Sequence, residues 1–153
     1  MVKRHKLTIK ITKADDIQYL CNQLRQADVN ELTACCSDPL TSLSEGYIFS
    51  DECYTAYVDN EPAGMFGVAS NILPENMASI WFLGTDKMSL VPKEWIRTGR
   101  YYINHFLLNN PVLTNMVSTE NKLHIKWLEK MGAIFSAPIE FNNHQFLQFY
   151  IIN

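Results

Sequence analysis

The sequence predicts an α/β chain in which a largely antiparallel sheet is flanked by helices, and three observations carry that reading. Leu7, Ile9 and Ile11 alternate with Thr8, Lys10 and Thr12, the period-2 signature of a half-buried strand. Ser79 to Thr85 is strongly apolar and is followed, after Pro92, by apolar residues at helical spacing. Val112 to Val117, a helix opened by Asn121 and closed by Gly132, and Ile134-Phe135 then give strand, helix and strand within about twenty-five residues. With 153 residues, 47% of them hydrophobic, the chain can bury one substantial core, so one domain over 1–153 is expected.

The elements follow in order. After the first strand, Asp15 and Asp16 open a helix that carries Ile17, Leu20, Cys21 and Leu24 on one face, the carboxylates favouring its positive end. A second helical segment runs from about Val29 to Cys36; Pro39 and Gly46 break the region between it and the next strand, where Leu40, Leu43 and Tyr47 fit one short helix. Tyr54 to Val58, the turn Asp59-Asn60-Glu61-Pro62 and Ala63 to Ala69 read as a hairpin. Ser79 to Thr85, with Ile80, Trp81, Phe82 and Leu83, is expected to be central and buried on both faces. Pro92 suits the first turn of a helix bearing Trp95, Ile96, Gly99, Ile103, Phe106 and Leu107. Leu123, Trp127, Leu128 and Met131 form the apolar face of the next helix; Ile139 to Phe141, an Asn142-Asn143 turn and Phe146 to Ile152 close the chain.

Composition excludes several classes. A net charge of −3 argues against a nucleic-acid binder, which needs a concentrated basic face, and the one basic run, Lys3 to Lys6, reads as a solvated tail. No apolar stretch reaches the roughly twenty residues that cross a bilayer, so no membrane association and a cytoplasmic location are expected. Cys21, Cys35, Cys36 and Cys53 lack C-x-x-C spacing and are expected to be reduced and mostly buried. The four histidines are scattered without i, i+4 pairs, and no metal is expected.

The unit from Val112 to Phe135, with Asn121 and Gly132 at the helix ends, resembles the last helical unit of the GNAT superfamily of N-acetyltransferases. Within it the chain resembles small proteins of short-tailed bacteriophages, described as internal virion or morphogenesis proteins with an acetyltransferase-like domain. That resemblance is carried by Asp28 with Glu31-Leu32, Trp81-Phe82-Leu83-Gly84-Thr85-Asp86, Asn121, His124-Ile125-Lys126-Trp127-Leu128 and Gly132-Ala133-Ile134-Phe135. It implies a single GNAT-like domain whose sheet splays between the Ser79 to Thr85 and Leu113 to Ser118 strands. It also implies a phage product in the cytoplasm of an infected bacterium or associated with the virion, a host or phage protein as partner, and acetyl-CoA as cofactor.

Two departures from the superfamily bear on chemistry. Active enzymes follow the central strand with a glycine-rich turn whose N–H groups and following helix hold the cofactor pyrophosphate; here Lys87-Met88-Ser89-Leu90-Val91-Pro92 offers no glycine pair, and Pro92 has no N–H. Many of them also place a Tyr acid four residues before the closing Gly, and here that position is Leu128. The resemblance then leaves Gly84, Thr85, Arg97, Arg100 and Asn121 as cofactor-binding candidates, Arg97 or Arg100 reaching a phosphate. His124, one turn before Leu128, is either the substitute acid or a neutral histidine satisfied by a local hydrogen bond, and Asp28 and Glu31, at i, i+3 spacing, either face one groove as acceptor-binding or base carboxylates or lie on a solvated helix face. Arg97-Thr98-Gly99-Arg100 has some of the letters of the glycine-rich turn but falls inside the apolar periodicity beginning at Trp95, so it reads as a helix interior in which Gly99 admits a close neighbour; Asn121 reads also as the helix cap. Two classes stay open: a weakly cofactor-binding N-acetyltransferase acting on a protein amine, or an interaction protein for virion assembly or host binding that keeps the fold without the cofactor.

Overall fold

The computed structural model describes residues 3–71 and 73–153. Strand β1 (Leu7–Ile11) leads through α1 (Ala14–Leu20), α2 (Gln26–Ala34) and α3 (Pro39–Phe49) into β2 (Glu52–Val58), β3 (Glu61–Ala69) and β4 (Met77–Gly84). A 3₁₀ turn, Asp86–Leu90, precedes α4 (Pro92–Leu107), β5 (Val112–Ser118), α5 (Lys122–Lys130), β6 (Ile134–Phe135), β7 (Ile139–Phe141) and β8 (His144–Ile152). The strands form one sheet in the order β1-β2-β3-β4-β5-β8-β6, with β7 also paired to β8. Every pairing is antiparallel except that of β4 with β5.

Local chemistry accounts for the ends of these elements. The β2–β3 and β7–β8 hairpins turn on Asp59-Asn60 and Asn142-Asn143, all four residues at positive φ, as two-residue turns matched to strand twist require. Helix α3 is the short helix expected around Leu43, but it runs on to Phe49, and Gly46, expected to break the chain there, lies inside it, where the Trp81 ring packs against it. Asp38 caps α3 by accepting from the Thr41 N–H at 2.9 Å, and Pro39 occupies the first turn. Gly132 ends α5 at a φ of +87°.

Helices cover both faces. On one, α4 and α5 bury Trp95, Ile103, Phe106, Leu128 and Met131 against Phe66, Val68, Ile80, Leu113 and Val117. On the other, α1 and α3 bury Ile17, Leu20 and Leu43 against Met65, with Trp81 and Leu83 packed alongside. This alternation of core across the sheet is why Met65 and Phe66, adjacent in sequence, belong to opposite cores.

Several expectations are corrected. Helix α1 ends at Leu20, and Leu24 instead forms an isolated bridge with Thr85. Helix α2 begins at Gln26, three residues before Val29. Leu123 is exposed, and Ile125 takes its place on the core face of α5. The thiols are unpaired, but none is buried: Cys35 and Cys36 are exposed, Cys21 and Cys53 intermediate. His5 is held to Asp59 at 2.6 Å, so the basic run is anchored at its middle rather than wholly solvated. Most consequential, Trp81, Phe82 and Leu83 are only half-buried, because β4 loses its β5 neighbour there and a cleft opens.

Candidate functional site

Strands β4 and β5 pair over three residues only, Met77 with Val112, Ala78 with Leu113 and Ser79 with Thr114, and then diverge. At the fork, Asn115 Nδ2 donates to the Ile80 carbonyl at 2.7 Å, a side chain replacing the next rung of the ladder. Beyond it lies a cleft of about 610 Å³ walled by Phe82, Trp81 and Leu83 on one side, Asn115 and Met116 on the other, with His124 and Glu31 reaching into it.

Helix α2 straps the open end of the fork. The Gly84 N–H, at the end of β4, donates to Asp28 Oδ2 at 2.9 Å, and the Ser118 N–H, at the end of β5, donates to Glu31 Oε2 at 3.2 Å. Asn121 Nδ2 donates to Asp28 Oδ1 and to Glu31 Oε2, both at 3.0 Å. Arg25 reaches the same Asp28 carboxylate through Nε and Nη2 at 3.0–3.2 Å and lies over the Phe82 ring. Asp28 and Glu31 meet at Asn121, but only Glu31 lines the cleft; Asp28 is 2% exposed and serves as an internal anchor. Burial pushes the Glu31 carboxyl above its ordinary range, against the hydrogen bonds from Asn121 and Ser118 that favour its ionised form.

Asn121 stands at the N-cap position of α5, yet its side chain makes no cap hydrogen bond. Its amide is committed to the two carboxylates, and its Oδ1 is buried without a partner among the described residues. The cap reading is corrected accordingly: attraction to two carboxylates outweighs one backbone N–H.

His124 lies edge-on to both Phe82 and Trp127, ring centroids 6.1 Å apart in each case. Desolvation, only partly offset by Asp28, lowers its pKa to about 4, so it is neutral at pH 7 and a poor proton donor there. The unfolded histidine takes up a proton below pH 6.5 and the folded one resists doing so down to about pH 4, so stability is lost as pH falls through that window. Urea denaturation from pH 7 to pH 4 is expected to show His124 costing about 2–3 kcal/mol, and His124→Phe is expected to flatten the profile. Glu31 acts in the opposite sense, its raised pKa relieving strain on protonation, and the variant separates the two.

The residues that would hold coenzyme A do not fit it. The Gly84 carbonyl accepts from the Arg25 N–H at 2.8 Å, and the Thr85 N–H donates to the Ala63 carbonyl at 2.8 Å. With the Gly84 N–H on Asp28, the strand-end groups expected to meet a pantetheine amide are engaged inside the chain. Val91, fully buried, precedes Pro92 at the start of α4, and Glu94 places a carboxylate in the first turn, where a phosphate would need to sit. Between α4 and α5, Trp127 stacks on Trp95 at 5.5 Å and 17° and rests on Gly99, where any Cβ would overlap its indole. Gly99 is thus the close-packing glycine of a helix interior. Arg97 and Arg100 are exposed on α4, in its second and third turns rather than at its N-terminus. Leu128, at the Tyr position, is fully buried.

Arg25, Asn115 and the Trp95–Trp127 pair were not singled out from sequence. Only Arg25 left a legible signal, its i, i+3 spacing to Asp28. Among the described residues no cluster of His, Cys, Asp or Glu fits a metal ion, and no helix is long and apolar enough to cross a membrane.

The splayed sheet with its parallel β4–β5 pair, and helices on both faces, defines the GNAT fold. Spermidine N-acetyltransferase from Vibrio cholerae, in complex with CoA and spermine, superposes with a TM-score of 0.67 at 15% identity over 95% of each chain. An aminoglycoside acetyltransferase in complex with coenzyme A gives 0.67 at 14% identity, over 96% of this chain and 95% of that one. A GNAT-family acetyltransferase from Bacillus anthracis gives 0.68 at 12%, over 99% and 97%. No curated protein matches the sequence. Residues 68–141, from the end of β3 through β7, match the family described as Bacteriophage T7, probable scaffold protein Gp13.

Proposed function

We propose that this chain is a non-catalytic virion-assembly protein of a bacteriophage, working in the cytoplasm of the infected cell and using the GNAT fold as a scaffold for a host or phage protein. The observation that carries the reading is the strap: Arg25, Asp28 and Ala63 consume the backbone groups of Gly84 and Thr85 that an acetyltransferase would turn toward its cofactor. The match of residues 68–141 to a family described as a probable scaffold protein supports it. The net charge of −3 favours a protein partner over a nucleic acid.

A second reading, an acetyl-CoA-dependent transferase acting on a protein amine, draws on the structural neighbours that hold coenzyme A and on Glu31, whose raised pKa suits a base in the cleft. Thiol release separates the two. Incubation with acetyl-CoA and spermidine, an aminoglycoside or a lysine-bearing peptide is expected to free coenzyme A at the uncatalysed rate. Acceptor-dependent release that Glu31→Gln abolishes would establish the transferase.

A further inference from the structure

The wall of the cleft on the side of α3 is apolar and one-signed. Helix α3 leans on β4 through Trp81, whose ring lies against Gly46 and whose Nε1–H donates to Ser50 Oγ at 2.8 Å. That seats the last turn of α3 beside the cleft, with Phe49 58% exposed; across the opening stand Phe141, 50% exposed, and Met116, 37% exposed. Large apolar side chains held in water around a concave site mark a binding surface.

The charged residues in this wall are Glu31 and Glu45; among the described residues no Lys or Arg lines it. The nearest cation in the strap, Arg25, is bound to Asp28. Glu31 takes both of its hydrogen bonds on Oε2, and among the described residues none reaches Oε1. A half-buried carboxylate with an open oxygen and a second carboxylate at the rim make a cation the complementary group, while Phe49, Met116 and Phe141 call for apolar neighbours beside it.

We infer that this cleft is a docking groove for a segment of a partner protein that inserts aromatic or aliphatic side chains between Phe49, Met116 and Phe141 and a Lys or Arg toward Glu31 and Glu45. The inference rests on the scaffold reading and gives the partner its chemistry. Burial raises the Glu31 pKa, a cost that an incoming cation relieves.

A random short-peptide library displayed on messenger RNA and selected against the full chain tests this, with affinities of the enriched peptides read by fluorescence anisotropy. The enriched peptides are expected to carry Lys or Arg flanked by aromatic or aliphatic residues. Glu45→Gln and Phe49→Ser, both exposed and outside the strap, are each expected to weaken binding about tenfold or more while leaving the melting temperature unchanged. Enrichment of acidic or wholly polar peptides, or indifference to both substitutions, would overturn the inference. So would displacement of the peptide by equimolar spermine, which would make this a small-amine site, or a dimer in sedimentation that Phe49→Ser dissolves, which would make the occupant a second copy. Acetyl-CoA added to the same samples keeps the two levels apart: if it binds, the scaffold reading fails, and if neither it nor any peptide binds, only the docking groove fails.

Discussion

Asp28→Ala is expected to be the most damaging single substitution outside the hydrophobic core, lowering stability by about 3–5 kcal/mol. The Asp28 carboxylate is 2% exposed and accepts from Arg25, the Gly84 N–H and Asn121 Nδ2. Truncation strands a guanidinium whose side chain is 12% exposed, a buried backbone donor and one bond of a buried amide, and unpaired buried groups are what make such losses large. It also releases the end of β4 from α2. Asp28→Asn keeps an acceptor for Gly84 and gives up the charge, so it is expected to fall between Ala and wild type. Urea midpoints for the three proteins check this; a loss under about 1 kcal/mol for Asp28→Ala would mean that water replaces the strap at little cost.

Trp127→Ala is expected to cost about 3 kcal/mol, a fall in melting temperature of roughly 10 °C for a chain of this size. Its indole is stacked on Trp95, edge-on to His124, and seated over Gly99, so removing it leaves a void between α4 and α5 with a glycine for its floor. The indole Nε1–H is buried without a partner among the described residues, which holds the expected loss toward the lower end for a tryptophan. Trp127→Phe keeps the stack and is expected to recover about half the loss. Differential scanning calorimetry reads both. A melting temperature unchanged in Trp127→Ala would show that the helices are held apart by something other than this pair.

These two sites show why the fold was more legible in the sequence than the site. Strand and helix periodicity, Pro92, Gly132 and the Asn-rich turns act locally, and they placed β1, β5 and α4 within a few residues, whereas the neighbouring of β4 with β5 came from the family resemblance. Leu123 and Leu24 fell off the expected faces because burial is settled by which neighbour arrives, as Ile125 and the Leu24–Thr85 bridge show. The missing glycine turn and the Tyr-to-Leu change at Leu128 were visible in the letters alone. What took their place was not, since the contacts of Asp28 with Gly84 and Asn121 span 56 and 93 residues, and no local pattern reports them. Asn121 is the sharpest case: its local signal is a helix cap, and two distant carboxylates override it. For His124 the sequence left an acid and a neutral histidine both open, and it is Phe82 and Trp127, closing on the ring, that hold it neutral.

The central claim is that the GNAT fold persists here with its cofactor path closed by the chain itself. Isothermal titration of the intact protein with acetyl-CoA tests it most directly. The strand-end groups of Gly84 and Thr85 are not available to a pantetheine amide, and with α4 opening on Val91 and Pro92 several charge-assisted bonds to a pyrophosphate are lost at about 1.5–3 kcal/mol each. The account predicts no saturable heat, a dissociation constant weaker than about 1 mM. Saturable binding near about 1 μM, weakened when Arg97 and Arg100 are both replaced by Gln, would contradict it and would show that α4 holds the cofactor by its side chains instead.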